Sequence, residues 1–546
     1  MTYPADEPSP VPDAADASAR PPSPLGPLGV PIYRMLWSVW LTANTCMWMN
    51  DVAAAWLMTS LTTAPVMVAL VQSASTLPVF MLGLPSGALA DILNRRRFLF
   101  FTQFWVAAVG VVIALTVASG AMTPLLLLAL TFVNGIGLAM RMPVFAAIVP
   151  TLVPRVQLPA AIALNGVAMN TSRIIGPTIA GTLIASAGSA WVFALNAVLS
   201  VVSGFVVLRW KHTPKPSALP GERFLGAIRV GMQYVRQSER LRTVLLRVAL
   251  FFLQSTAVMA LLPLVARDFG GHGGAQSFTL LLACLGVGAI ASATVLQRIR
   301  QRVSLDGIVL AGSVTQALAT LLVAFAPNVW VAVPGMIVAG MAWLSVANTL
   351  SVSAQMALPD WVRARGMAAF QMALMGASAA SAALWGQVAT WTDVRTSLAA
   401  AALSGLAALV LARRRTLSGV AEEDLTPSSA LTPPEATLDF EPNAGPVLVT
   451  IEYRIDPARA DEFREVMRES RRSRLRHGAL AWELFHDTSD PRHYIEYYID
   501  ETWIEHLRRF DRFTAGDAAL RERRLALHTG DKPPLVARYV SEPLSR

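Results

Sequence analysis

The chain has 546 residues, of which 54% are hydrophobic and only 15% charged, with a net charge of +9 and a mean hydropathy of +0.48. A soluble domain carries about 25% charged residues, so a large soluble protein is excluded by composition and by the many apolar runs of about 20 residues, the length that crosses a hydrocarbon core as a helix. The positive charge sits mostly between those runs and in the C-terminal part, so it reads as membrane topology and not as a nucleic-acid surface.

The chain opens with "MTYPADEPSPVPDAADASARPPSPLGPLG", acidic, Pro-rich and without an apolar h-region. This is expected to be a disordered tail over 1–32 and not a secretory signal. Twelve spans follow at 34–59, 66–90, 98–119, 123–149, 159–186, 190–209, 243–266, 276–297, 305–326, 328–354, 364–390 and 395–412. Alternate connections hold Arg95, Arg96 and Arg97; Arg155; the cluster from Arg209 to Arg242; Arg298, Arg300 and Arg302; Arg363 and Arg365; and Arg413 to Arg415. The other connections hold only Arg267 and Arg395, so the basic side is expected to be cytoplasmic, with both termini on it.

A repeat at an offset of 205 pairs Gly83 with Gly288, Arg95 with Arg300, Arg97 with Arg302, Gly135 with Gly340, Pro154 with Pro359 and Gly181 with Gly386. It implies two parallel six-helix halves, 33–209 and 243–413, with a site between them near the midplane. The segment 210–242 joins the halves and contains an amphipathic basic helix expected on the inner leaflet. After a Pro-rich linker over 414–445 comes a soluble domain over 446–541. Its strand and helix patterns run β-α-β-β-α-β, the order of a ferredoxin-like α+β fold. The fold class expected is therefore an all-α membrane protein with a C-terminal α+β domain. The strand face Val447, Val449, Ile451, Tyr453 and Ile455 should be buried, Tyr494 and Tyr498 are placed on the opposite face, and pairing of that open face with a second copy makes a homodimer.

"GALADILNRRR" at 87–97 lies at the basic turn between spans 2 and 3. Gly87, Asp91, Arg96 and Arg97 resemble the signature loop of the major facilitator superfamily, with Ile92 and Asn94 departing from it. The resemblance implies a conformational latch for alternating access. "PVFAAIVPTLVPRVQLPAAIALNG", "TSRIIGPTIAGTLIASAG", "FALNAVLS", "NDVAAAWLMTSLTTAP" and "LPVFMLGLPSGALAD" are similar to the transmembrane secretion effector branch, which includes enterobactin exporters and macrolide efflux proteins. That likeness spans 33–413. The C-terminal domain resembles the dimeric α+β barrels of antibiotic-biosynthesis monooxygenases.

Asp51 is the only acidic residue well inside a span. A carboxylate there is costly when ionised and can take and release a proton, as a proton-coupled carrier requires. Arg173 at similar depth must pair or face water; it suits an anionic substrate, or Asp51 itself. Asn44 and Gln254 are polar at membrane depth and are assigned with them to a cavity, together with Trp48 and Trp343. Arg141 reads as a snorkelling residue. His486, His493 and His506 have no tight ligand spacing and read as surface histidines. No nucleotide loop appears, so no cofactor and no metal is expected. The sequence points to a proton-coupled exporter of a small amphipathic molecule such as a siderophore, drug or secondary metabolite. An importer of the same fold and a membrane-tethered oxygenase-like enzyme are the alternatives.

Overall fold

The computed structural model describes residues 25–92, 94–210, 224–270, 274–359, 361–412, 424–428 and 440–542. The N-terminal stretch to residue 24, and the linker over 413–423 and 429–439, lie outside the described residues. Residues 25–32, assigned above to a disordered tail, instead hold a tight turn at Gly26–Gly29 and the start of the first helix.

Long helices follow one another: α1 (Pro31–Leu61), α2 (Pro65–Ile92), α3 (Arg95–Ala118), α4 (Pro124–Leu152), α5 (Leu158–Ser186), α6 (Ser189–Leu208), then the short α7 (Phe224–Gln237). After it come α8 (Glu239–Gly270), α9 (Gly274–Arg300), α10 (Leu305–Ala324), α11 (Val329–Met356), α12 (Arg363–Trp391) and α13 (Val394–Ala412). Their starts are written in the sequence. Pro opens the first turn of α1 and α4, where its missing N–H costs nothing. The side chains of Asn94, Thr123, Ser304 and Asn328 accept backbone N–H groups at the starts of α3, α4, α10 and α11. Among the described residues, nine helices are long and apolar enough to cross a membrane. The long α1 and α5 and the shorter α13 pack beside them.

The repeat has a structural counterpart. A Cβ on Gly135 of α4 would meet the Ser75 carbonyl oxygen of α2 at 2.8 Å, and one on Gly340 of α11 would meet the Leu285 carbonyl of α9. Gly181 brings α5 onto Thr279 of α9, and Gly386 brings α12 onto Val66 and Ala69 of α2. These two matched pairs thus serve the same close crossing in the two parts of the chain, where any side chain would push the helices apart; the third pair does not, since Gly83 faces Met372 of α12 and Gly288 the Ile337 backbone of α11.

The end of the bundle away from the arginine-rich turns is sealed. Arg267 donates to the Thr59 carbonyl at 3.4 Å, Trp56 stacks on Phe278, and the Val66 N–H donates to Thr390 Oγ1 at 3.1 Å.

The amphipathic α7 does not present its apolar face to lipid, as its pattern suggested. Val230 and Tyr234 are buried against protein. Tyr234 donates to the Ala357 carbonyl at 3.0 Å, and the C-terminal domain covers the helix from the other side. That domain is a four-stranded antiparallel sheet in the order β2-β3-β1-β4, formed by β1 (Val447–Arg454), β2 (Ala481–His486), β3 (His493–Asp500) and β4 (Leu535–Val540). It is covered on one face by α14 (Ala460–Arg476), α15 (Trp503–Asp511) and α16 (Ala515–Leu525). Arg229 of α7 pairs with Glu501 at 2.6 Å, Gln233 donates to the Ala479 carbonyl, and the Arg512 guanidinium lies over Trp361. The domain therefore docks on α7 and on the turn that precedes α12.

The β1 face Val447, Val449, Ile451, Tyr453 and Ile455 is buried. Tyr494 and Tyr498 are not on the opposite face. Cross-strand pairing sets Tyr453 beside Tyr494 and Val449 beside Tyr498, so both tyrosines lie on the same helix-covered side. The open face carries Leu448, Phe485, Ile495, Tyr497, Ile499 and Tyr539 instead.

Candidate functional site

The site is built on the seam between α1 and α5. Thr45 donates to Ser172 Oγ at 3.1 Å, and Ser172 donates to the Leu41 carbonyl. One turn on, Gly176 lies against Trp48, where a Cβ would come within 2.6 Å of the Trp48 Cβ. This close approach carries Arg173, one turn before Gly176, onto the Trp48 ring. The guanidinium lies 5.2 Å from that ring centroid and 4.3 Å from that of Trp343 on α11. Arg173 is 6% exposed, and its Nε and Nη1 have no hydrogen-bond partner.

Asp51 follows Trp48 by three residues on α1, on the neighbouring turn. Its Oδ1 accepts a hydrogen bond from Ser75 Oγ of α2 at 2.9 Å. With Gln72 and Ser75 of α2 and Met259 and Ala260 of α8, it lines a cavity of about 20 Å³, room for about one water molecule. The structure does not join Asp51 to Arg173: the carboxylate is held by a hydroxyl and the guanidinium by two indoles. Arg173 of α5 meets α1 at Trp48, three residues before Asp51, and the two groups are not paired.

The other expected site residues are more scattered. Asn44 is buried one turn before Trp48; its Nδ2 donates to the Trp40 carbonyl at 2.7 Å, and its Oδ1 has no partner. Gln254 is buried elsewhere, against Gly405 of α13, in a cavity of about 220 Å³ that also includes Arg247, Asp306 and Ser313. It does not share the Asp51 cavity. Arg141 does not snorkel; it is 4% exposed and donates to the Ala43 carbonyl at 3.3 Å, because α4 turns it inward against α1. Of the latch residues, Gly87 and Asp91 fall in α2 but their side chains lie outside the described residues. Arg96 donates to the Leu208 carbonyl at the end of α6, and Arg97 is exposed. Asn94, a departure from the signature, caps α3 by accepting the Arg96 and Arg97 N–H groups.

Sequence reasoning missed Ser75, although it lies three residues from Gln72 and so on the same helical face. It also missed Asn50 and Asn196, whose side chains meet at 3.3 Å between α1 and α6.

Between sheet and helices of the C-terminal domain, buried ion networks lie beside the apolar core. Glu496 is fully buried and accepts from Trp482 Nε1 at 2.9 Å, Arg474 Nε at 3.0 Å and Tyr453 Oη at 3.0 Å, with Arg524 at 3.4 Å. Burial alone would raise its pKa, but Arg474 and Arg524 outweigh burial and hold it down to about 2. His506 is not a surface histidine. It is fully buried, its Nδ1 lies 2.9 Å from Asp500 Oδ2, and its Nε2 accepts from Arg538. Burial lowers its pKa, with Asp500 opposing. Among the described residues, no three His, Cys, Asp or Glu side chains are grouped as a metal ion would require.

The family described as transmembrane secretion effector matches residues 22–545. Macrolide efflux protein A of Enterococcus faecalis is 25% identical over 200 residues, 35% of this chain and 60% of that protein. The staphyloferrin A transporter of Staphylococcus aureus is 23% identical over 257 residues, 46% of this chain and 63% of that protein. The matched stretches thus span about three fifths of the length of these curated relatives. Among solved structures, a bacterial homolog of the human lysosomal transporter Spinster, in an inward-facing and unoccupied conformation, superposes with a TM-score of 0.57 at 14% identity. It covers 71% of this chain and 97% of its own, a likeness of fold alone.

Proposed function

The chain belongs to the transmembrane secretion effector family, a major facilitator type of membrane transporter and not an enzyme, and on that premise we propose that it is a proton-coupled exporter of a small amphipathic molecule. The observation that carries this reading is Asp51: a carboxylate at membrane depth, lining a cavity between α1, α2 and α8, held by one hydroxyl and, among the described residues, by no cation. A carboxylate so placed changes proton affinity as its surroundings change, which is what coupling needs. We read the long helices as twelve spans in two halves of six, with the matched glycine crossings as the support for the repeat. The basic turns face the cytoplasm of a bacterial inner membrane, with both termini there. On that orientation the structure is closed to the outside. Arg96 belongs to the latch region but is engaged within its own half in this state.

A relative named for macrolide efflux supports export, beside one named as a staphyloferrin A transporter. We read the C-terminal domain as ferredoxin-like from its strand order, and its open apolar face as a contact for a second copy. Disulfide formation between full-length chains carrying Tyr497→Cys tests the pairing; a strictly monomeric product would end it. The transport reading is tested in inverted vesicles with an acid interior, given erythromycin, citrate and 2,3-dihydroxybenzoate in turn. At least one should accumulate above equilibrium, and a protonophore should abolish the gradient. Accumulation unaffected by protonophore would contradict proton coupling.

A further inference from the structure

The arrangement around Arg173 says something about what is carried, resting on the carrier reading above. Arg173 is buried in the bundle between an indole from the first part of the chain, Trp48, and one from the second, Trp343. Among the described residues, no carboxylate stands within ion-pair distance of it, and Asp51, the acid on the neighbouring turn of α1, is engaged by Ser75. Cation–π contact offsets only part of the cost of burying a guanidinium. The unspent capacity is directional. It lies at Nε and Nη1, two donors on different edges of the guanidinium, neither of which has a partner. Trp48 Nε1 is a further buried donor without a partner, and Asn44 Oδ1, one turn away on the same helix, is an acceptor without one.

We propose that the Trp48–Arg173–Trp343 box is an oxyanion-binding site, and that the carried molecule presents to it a carboxylate or another anionic oxygen. Each unpaired N–H of the guanidinium can donate a charge-assisted hydrogen bond to such an oxygen. A neighbouring hydroxyl on the ligand would suit Asn44 Oδ1. A cation placed here would meet Arg173 as a like charge, so a protonated amine is disfavoured at this position. Because the box draws on both parts of the chain, an anion bound in it is contacted from both and bears on the equilibrium between the two orientations of the bundle.

The test uses the purified full-length protein in lipid nanodiscs and reads the thermal unfolding midpoint against concentration of four probes: salicylate, 2,3-dihydroxybenzoate, citrate and the neutral salicylamide. The expected result is a saturable rise with at least one anion and none with salicylamide. Arg173→Gln should weaken that anion at least 10-fold, the scale of a lost charge-assisted hydrogen bond, while Arg173→Lys retains weakened binding. The parent-only contrast between acid and amide stands even if Arg173→Gln fails to fold. Equal shifts from acid and amide, no shift from any anion, or an unchanged anion affinity in folded Arg173→Gln would each overturn the proposal. Uphill export of erythromycin with no anion binding would remove this inference and leave the carrier reading intact. Anion binding without any uphill transport would do the reverse.

Discussion

The membrane bundle and the C-terminal domain treat buried charge in opposite ways. In the domain, Glu496 meets Arg474 and Arg524, Asp500 meets Arg509 and His506, and Asp517 meets His477. In the bundle, Asp51 meets a serine, Arg173 meets two tryptophans, and Arg141 meets a carbonyl. A buried charge with a full set of partners has no reason to change state, whereas one left with spare bonding capacity is poised to respond to a ligand or a proton. The domain's charges hold a shape, and the bundle's charges are available for work.

Three substitutions or conditions sharpen this contrast, from largest to smallest effect. Glu496→Ala leaves Arg474 and Arg524 buried without their anion and should cost about 3–5 kcal/mol, seen as early loss of the domain's transition in thermal unfolding of the full chain. The paired Arg141→Met, which removes an ion that has no carboxylate partner, should leave the bundle's transition nearly in place. Equal losses from the two would erase the contrast.

Acid comes next. Glu496 has its pKa lowered on folding, so its contribution is complete above the unfolded value of 4.5 and is lost as pH falls from there through about 2, a change of about 3 kcal/mol. His477 and His506 are lowered as well, chiefly by burial. For them the unfolded chain binds protons first, so stability begins to fall below the unfolded value of 6.5. Unfolding midpoints should therefore be level above that pH and decline below it, with a steeper fall under pH 4.5. A domain that strengthens between pH 7 and pH 5 would contradict the assignment of these charges.

The smallest effect is at the docking contact. Arg229 and Glu501 are partly exposed, so Arg229→Ala should cost less than about 1 kcal/mol and show only as faster amide exchange in α7. A large loss of global stability would mean that docking holds the fold together.

Much of the architecture was legible because a long apolar run has only one inexpensive conformation in a membrane. The glycine repeat was visible as well, whereas the start of α1 at Pro31 was not, because 1–32 read as a tail. What failed depends on rotation and register, which a single strand or helix does not encode. Tyr494 and Tyr498 alternate correctly along β3, yet only the pairing of Tyr453 with Tyr494 decides which face they share. Arg141 sits near a helix end, where snorkelling is the local expectation, but the angle of α4 turns it toward Ala43. Arg173 and Asp51 were legible as residues at membrane depth. That they stay unpaired was not, because it follows from Gly176 drawing α5 onto Trp48 and from Ser75 reaching Asp51. His506 was misplaced because its partners Asp500 and Arg538 come from two different strands.

The central claim is that the carboxylate of Asp51 links proton movement to transport. The most direct measurement compares parent, Asp51→Asn and Asp51→Glu in inverted vesicles with an imposed pH gradient, following uphill accumulation and downhill exchange of the same exported probe. A proton crossing about 100 mV supplies about 2.3 kcal/mol, and a further pH unit adds about 1.4 kcal/mol; without a titrating group neither can be drawn on. The account predicts that Asp51→Asn loses accumulation at least 10-fold yet still exchanges substrate downhill, while Asp51→Glu keeps part of the gradient. Accumulation by Asp51→Asn as steep as the parent's would show that the proton is carried elsewhere.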